Sequence, residues 1–345
     1  MKKSIIFSLF SAVFAMSASA EYYTVPAAGE VFTSELSSSI TSTGGMQGGQ
    51  MTFQFSSTKT VATITSDFVF ENHVYLENTT TDTASTNENM YHATFYINEG
   101  AELTFNQVTF DAPIKTRFGL YSTSGERGSV VFNEAVTITG GVSKGSAEYW
   151  LKNVDVTVSS SKGSNYMGLS HILDGTTITA KNTTFTIGNI YLRTSTKKTE
   201  SGTKDAGKII AENSKVIVSG LGNANKITAD FEFNFATDAK EEFDFNIKLS
   251  SWTANANTIS VYFTNMGADD RIYSIEKLET LSNLKINGAT ISSLIEAGLI
   301  SVETVMKDGV ASDYIYTYIP EPATYAGILG ALAIAFAFMR RQPRK

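Results

Sequence analysis

Residues 103–110 read Leu103-Thr-Phe-Asn106-Gln-Val-Thr-Phe110, and the same arrangement recurs four times downstream. The recurrences are Val131-Phe-Asn133-Glu-Ala-Val-Thr-Ile138, Tyr149-Trp-Leu-Lys-Asn153-Val-Asp-Val-Thr-Val158, Ile178-Thr-Ala-Lys-Asn182-Thr-Thr-Phe-Thr-Ile187 and Ile209-Ile-Ala-Glu-Asn213-Ser-Lys-Val-Ile-Val218. Each holds an apolar run, an asparagine, and a second apolar run. The asparagines lie 27, 20, 29 and 31 residues apart. A period of that size is what one coil of a β-solenoid requires. A single coil cannot bury its inward face, whereas stacked coils share one interior. Asparagine suits the corner because it tolerates the left-handed region and bonds its own backbone. Corner asparagines in register can also bond to one another along the axis. An antiparallel sandwich of ordinary hairpins would share the alternation. The recurring corner favours the parallel solenoid.

The alternation extends on both sides of the repeat. Met51-Phe53-Phe55, Phe68-Phe70, Val74-Leu76 and Phe95-Ile97 place apolar residues at period two, with threonine often between them. That pattern marks short strands with one buried face. From about Ala229 it broadens into Phe231-Glu-Phe233-Asn-Phe235 and Phe243-Asp-Phe245-Asn-Ile247-Lys-Leu249, read as longer strands that cap the solenoid or form a terminal sheet. Ile291–Ala297, stopped by Gly298, is the one credible short helix. Val302–Val305 and Tyr314–Tyr318 read as final strands. Ser37–Gln50, Thr79–Asn89 and Ser195–Gly207 are polar and read as exposed loops. The last holds Lys197, Lys198 and Lys204 beside Glu200 and Asp205, a solvated loop more than a binding patch.

Composition agrees with a β-rich chain. Of 345 residues 42% are hydrophobic and only 18% charged, while serine and threonine number 37 and 42. The length accommodates one large or two modest domains. There is no cysteine, which excludes disulfides, thiol catalysis and cysteine-bound zinc or iron–sulfur clusters. The formal charge of −7 argues against nucleic acid as a partner.

Both ends read as sorting segments. Lys2 and Lys3, the apolar run Ile5–Met16 and the small residues Ala18-Ser19-Ala20 form a secretory signal peptide over residues 1–20, with Ala18 and Ala20 setting the cleavage site. The apolar run is too short for a membrane anchor. At the other end Pro320-Glu321-Pro322 precedes Ala323–Met339, a 17-residue uncharged stretch. As a helix it would extend roughly 25 Å, enough for a thin hydrocarbon core. Arg340, Arg341, Arg344 and Lys345 follow, a basic tail that the positive-inside rule keeps cytoplasmic. The bland reading is a simple C-terminal anchor. The order of tripeptide, apolar helix and arginines resembles the PEP-CTERM sorting signal of Gram-negative bacteria, interrupted only by Gln342-Pro343.

The resemblance covers residues 320–345 and concerns sorting alone. It implies recognition by an exosortase-type transpeptidase after export by the Sec machinery. The inner membrane would be a transient anchor before delivery to the cell surface or extracellular matrix. Exopolysaccharide or other surface glycans are the further partners it suggests. Without the two ends, residues 21–319 keep 21 basic and 33 acidic side chains, a net charge of −12. Such a body is soluble and repels anionic surfaces.

The body shows no catalytic constellation. It lacks a phosphate loop, and His73, His92 and His171 are not spaced as zinc ligands. No catalytic, cofactor or metal residue is assigned. Parallel β-helices do include polysaccharide lyases and glycosidases. Cleavage of a glycosidic bond needs two carboxylates about 5 to 10 Å apart. The candidate acids are Asp155, Asp174, Glu212 and Asp230, each more readily read as solvent-facing. Lyase chemistry would also need cations, and the body's arginines, Arg117, Arg127, Arg193 and Arg271, are scattered. Trp150, Tyr149, Tyr166, Tyr191 and Trp252 are candidate sugar platforms, with core packing the default for Trp150. Asn78 and Asn182 stand in Asn-x-Thr sequons, possible glycosylation sites.

The expectation is therefore an all-β chain. A parallel β-solenoid body spans 21–265, a C-terminal cap spans 266–319, and a single transmembrane helix lies within the sorting signal at 320–345. The expected role is that of an exported structural or adhesive surface protein, not an enzyme. A carbohydrate-active or glycan-binding β-helix is the alternative.

Overall fold

The computed structural model describes residues 21–25, 30–32, 50–55, 61–78, 92–112, 117–122, 127–133, 136–140, 148–160, 164–173, 175–193, 203–223, 228–237, 240–250 and 259–319. The expected signal peptide at 1–20 and the expected sorting signal with its transmembrane helix at 320–345 lie outside them, as does most of Ser37–Gln50 and all of Thr79–Asn89. Among the described residues no helix is long and apolar enough to cross a membrane.

The fold is a parallel β-solenoid. Two 13-stranded sheets run side by side, and the chain passes from one to the other as it coils. One sheet starts with Glu21–Val25 and Gln50–Phe55 and ends with Ile259–Thr264, Leu284–Ile286 and Ala289–Thr290. The other starts with Glu30–Phe32 and Val61–Ile64 and runs to Arg271–Ser274. Strands from successive coils pair in parallel throughout this stretch. An antiparallel sandwich is thereby excluded.

The register explains the interior. Phe68 pairs with Leu103, and the column continues through Val130, Val156, Ile178, Ile209, Phe233, Phe263 and Ile286. A second column runs Phe70, Phe105, Phe132, Val158, Ala180, Ala211 and Phe235. All of these side chains are buried. The rings of Phe70 and Phe105 stack at 5.0 Å, and those of Phe105 and Phe132 at 5.3 Å. On the other sheet Phe185, Val216, Phe243, Ile272 and Tyr316 form a matching column. Deleting a buried ring typically costs about 3–5 kcal/mol. A register slip by one residue would expose a whole column.

The corners divide the predicted asparagine repeat into separate columns. Asn106 and Asn133 follow the inward Phe105 and Phe132, and Asn133 Nδ2 donates to Asn106 Oδ1 at 3.0 Å. Asn182 and Asn213 form another column at φ 51° and 48°, where Asn213 Nδ2 donates to Asn182 Oδ1 at 2.9 Å. Asn234 and Asn265 repeat the contact at 3.4 Å. Asn153, at φ 51°, sits on the return corner after strand Glu148–Lys152. The expected single corner is thus three positions, which is why the spacing of 20 residues stood out. The step between coils also varies: Phe68 to Leu103 is 35 residues and Val156 to Ile178 is 22. At Gly128 a Cβ would stand 2.2 Å from Ile97 Cγ2, so the chain passes too close there for any side chain.

Beside the asparagines runs a column of buried polar side chains. Ser214 Oγ accepts from Thr183 N at 3.1 Å, Glu241 Oε1 from Asn213 N at 2.7 Å, and Asp270 Oδ1 from Glu241 N at 2.9 Å. Each side chain satisfies a backbone donor of the coil before it. Burial pushes the Glu241 carboxyl up, only partly offset by the bonds from Thr237 and Asn213. Burial raises Asp270 as well, against the bonds from Gly267 and Glu241 N–H.

Two sequence expectations change. The strands at Phe231–Phe235 and Phe243–Phe245 are not a cap; they pair in parallel with their neighbours as ordinary coils. The expected loop Ser195–Gly207 ends early, because Thr203–Gly207 belongs to strand Thr203–Glu212. Local polarity hid a strand whose partners lie on the adjacent coils. The chain reverses direction only after Leu284–Ile286. Helix Ile291–Glu296 buries Ile291 and Leu294, is capped by Thr290 Oγ1 accepting from Ser293 N at 3.3 Å, and is followed by Gly298 at φ 71°. Val310–Tyr318 then pairs antiparallel with both Arg271–Ser274 and Ile300–Lys307.

Two variants test the corners. Asn213→Ala should lower unfolding free energy by about 1–2 kcal/mol, from left-handed strain plus a lost hydrogen bond. Asn213→Gly should cost less, since it relieves the strain; urea denaturation of both separates the terms. Glu241→Gln tests the buried column. A carboxyl raised in the folded state favours folding in acid, and this is lost as pH rises from the ordinary 4.5 through the raised folded value. The stability of Glu241→Gln relative to the natural chain should therefore increase across that window, as read by thermal melts from acid to neutral pH.

Candidate functional site

The outward face of the first sheet is set by the same register as the core. The residue before each inward apolar side chain points out. Thr177, Lys208, Glu232, Tyr262 and Lys285 thus form one axial column, paired rung by rung. Against it lies a groove of about 300 Å³, lined by Arg127, Lys208, Asp230, Glu232, Tyr262 and Thr264 and by Gly175 and Gly207. Gly175, at φ 74° on the return corner, and Gly207, at φ 95° in the register shift of strand Thr203–Glu212, hold conformations where a side chain is unfavourable. Their bareness opens the groove at its margin.

Arg127 reaches in from the coil below. Its Nη2 lies 2.6 Å from Asp155 Oδ1 and donates to Gly175 O at 2.9 Å, with Thr177 Oγ1 at 3.2 Å. These contacts all use one nitrogen, so Nε and Nη1 remain uncommitted among the described residues. Glu232 Oε1 accepts from Thr264 Oγ1 at 2.6 Å and from Asn234 Nδ2 at 2.8 Å. Burial alone would raise the Glu232 carboxyl. The two hydrogen bonds and the charge of Lys208 outweigh burial and hold the carboxyl below its ordinary value. Glu232 is therefore a fixed, ionised acceptor. Asp230 stands exposed beside it. The Lys285 ammonium lies 5.8 Å from the centre of the Tyr262 ring.

The sequence-predicted residues distribute as follows. Asp155 is ion-paired with Arg127, and Glu212 with Lys181 at 2.9 Å. Of the three described candidate acids only Asp230 lines the groove; Asp174 lies outside the described residues. Tyr149 and Trp150 are buried, Trp150 against Tyr121, and Tyr166 is half exposed. Trp252 and the sorting residues Pro320, Glu321, Pro322, Arg340 and Arg341 lie outside the described residues, as do Ala18 and Ala20. Asn182 is exposed at its corner, whereas Asn78 ends strand Phe68–Asn78. His73, His92 and His171 fall in three different strands. Among the described residues no three His, Asp or Glu side chains group as metal ligands.

Sequence reasoning missed Lys208, Glu232, Tyr262 and Thr264. The signal was present, since each of the first three directly precedes an inward residue of one column. Unequal coil lengths concealed that alignment. Comparison with family models, with curated proteins and with solved structures finds no match.

The depressed Glu232 carboxyl stabilises the fold above its unfolded value, and that contribution is lost as pH falls through the folded value. Carboxyl ¹³C NMR should show Glu232 titrating below the ordinary 4.5. Lys208→Met should move the titration upward.

Proposed function

We infer that the protein is an exported bacterial surface or matrix component, sorted through its C-terminal PEP-CTERM-like signal by an exosortase, with a structural or adhesive role. The observation that supports this reading is a pairing. A parallel solenoid, stiffened by continuous interior columns and corner bonds, is followed by an antiparallel segment whose last strand is Val310–Tyr318, and Pro320-Glu321-Pro322 comes one residue later in the sequence. The apolar stretch Ala323–Met339 and the arginines Arg340 and Arg341 complete the signal. Solenoids of this kind suit the role because each coil adds a fixed rise and presents a long lateral surface. The described flanks are rich in threonine, serine and paired charges, as befits a hydrated spacer.

A carbohydrate-active β-helix is the second reading, favoured by Asp230 and Glu232 sharing one groove. A glycosidase needs one carboxyl held protonated near neutral pH. Glu232, held below its ordinary value, fits only the ionised member of such a pair, and the second acid, Asp230, is exposed with no apolar pocket around it, so binding suits this groove better than cleavage.

The intact mass of the mature protein from its own host tests the sorting reading. A chain beginning near Glu21 and ending near Pro320-Glu321-Pro322 is expected. A chain retaining Ala323–Lys345 in the inner membrane would leave a simple anchored periplasmic protein instead.

A further inference from the structure

We propose that the groove formed by Arg127, Lys208, Asp230, Glu232, Tyr262 and Thr264 binds a neutral oligosaccharide lying along the solenoid axis. This deepens the adhesive reading above and does not depend on the sorting signal.

Geometry supplies the first reason. The groove crosses the register-paired rungs of Thr177, Lys208, Glu232 and Tyr262. Three rung spacings amount to about 14 Å. A short run of linked sugar rings matches that length, and a single small metabolite would leave most of it empty. The floor is rigid, because Phe231 and the inward column behind the strands are fully buried.

Chemistry supplies the second. Arg127 and Lys208 donate, while Asp230 and Glu232 accept, and their formal charges cancel. Lys208 makes no hydrogen bond or close ion pair among the described residues, and Glu232 Oε2 and the Asp230 carboxylate are likewise uncommitted. A ligand for such a surface must offer donors and acceptors at close spacing without net charge. Vicinal hydroxyls do so, pairing with carboxylates and with guanidinium or ammonium groups alike. Nucleic acid would meet two carboxylates. A peptide added as a strand would need a free sheet edge, whereas the groove lies on a sheet face whose backbone is already paired. Tyr262, half-buried at one end, offers its remaining exposed surface to the pyranose C–H groups.

The test is calorimetric titration of the full chain in mild detergent with cellotetraose, chitotetraose, mannotetraose and tetragalacturonate. At least one neutral tetrasaccharide should bind with a submillimolar dissociation constant. Lys208→Met and Asp230→Asn should each weaken it about tenfold, the loss of one charge-assisted hydrogen bond, with circular-dichroism spectra of the folded chain unchanged. Lys240, which pairs with Glu242 at 3.0 Å just before strand Glu242–Phe245 of the other sheet, does not line the groove, and Lys240→Ala should leave binding intact. Absence of binding by every neutral probe overturns the proposal, as does equal binding by both groove variants. Binding of tetragalacturonate alone also overturns it, in favour of an anion site. None of these outcomes bears on the sorting reading, which the mature mass decides separately.

Discussion

An inward side chain in a solenoid coil has one place to go, between its counterparts on the coils above and below. This constraint governs the rest of the structure. It aligns Phe68 with Leu103 and carries the alignment to Ile286. It leaves no freedom to the outward residues, which are fixed in columns by the same register. The corners must then absorb every difference in coil length. They do so with left-handed asparagines at Asn153, Asn182, Asn213, Asn265 and Asn287; the Asn213 amide bonds the asparagine of the coil before it, and the Asn287 amide bonds the backbone of Met266.

Charge follows the same geometry. The body carries a net charge of −12, yet its outward columns set opposite charges one rung apart. Lys181 meets Glu212 at 2.9 Å, and Lys215 meets Asp244 at 3.1 Å and Glu242 at 3.6 Å. Exposed pairs of this kind contribute little stability singly. Their value lies in register, because a misaligned coil would stack like charges and leave Lys215 without its partners.

Much of the fold was legible in the sequence. Period-two alternation gave the strands, the asparagines gave the corners, and Gly298 gave the end of the short helix. What stayed hidden was alignment between coils. Asn133 and Asn153 look alike in sequence yet occupy different corners, and Thr203–Gly207 looks like a loop because its partners are remote in sequence. The groove was illegible for the same reason. Lys208, Glu232 and Tyr262 are unremarkable surface residues until register brings them together, and Arg127 enters from a coil whose sequence gives no hint of Thr177. Of the groove residues only Asp230, as a candidate acid, and Arg127, as one of the scattered arginines, were named in advance, and nothing in the sequence joined them.

The unequal coils carry a last consequence. A coil of 22 residues and one of 35 contribute the same rise, one strand spacing, to the long axis. Residues inserted at a corner therefore change girth and leave length untouched. Reach grows only by duplication of a whole coil, in discrete steps. A lineage can thus redecorate the flanks of such a rod freely while its span stays quantised.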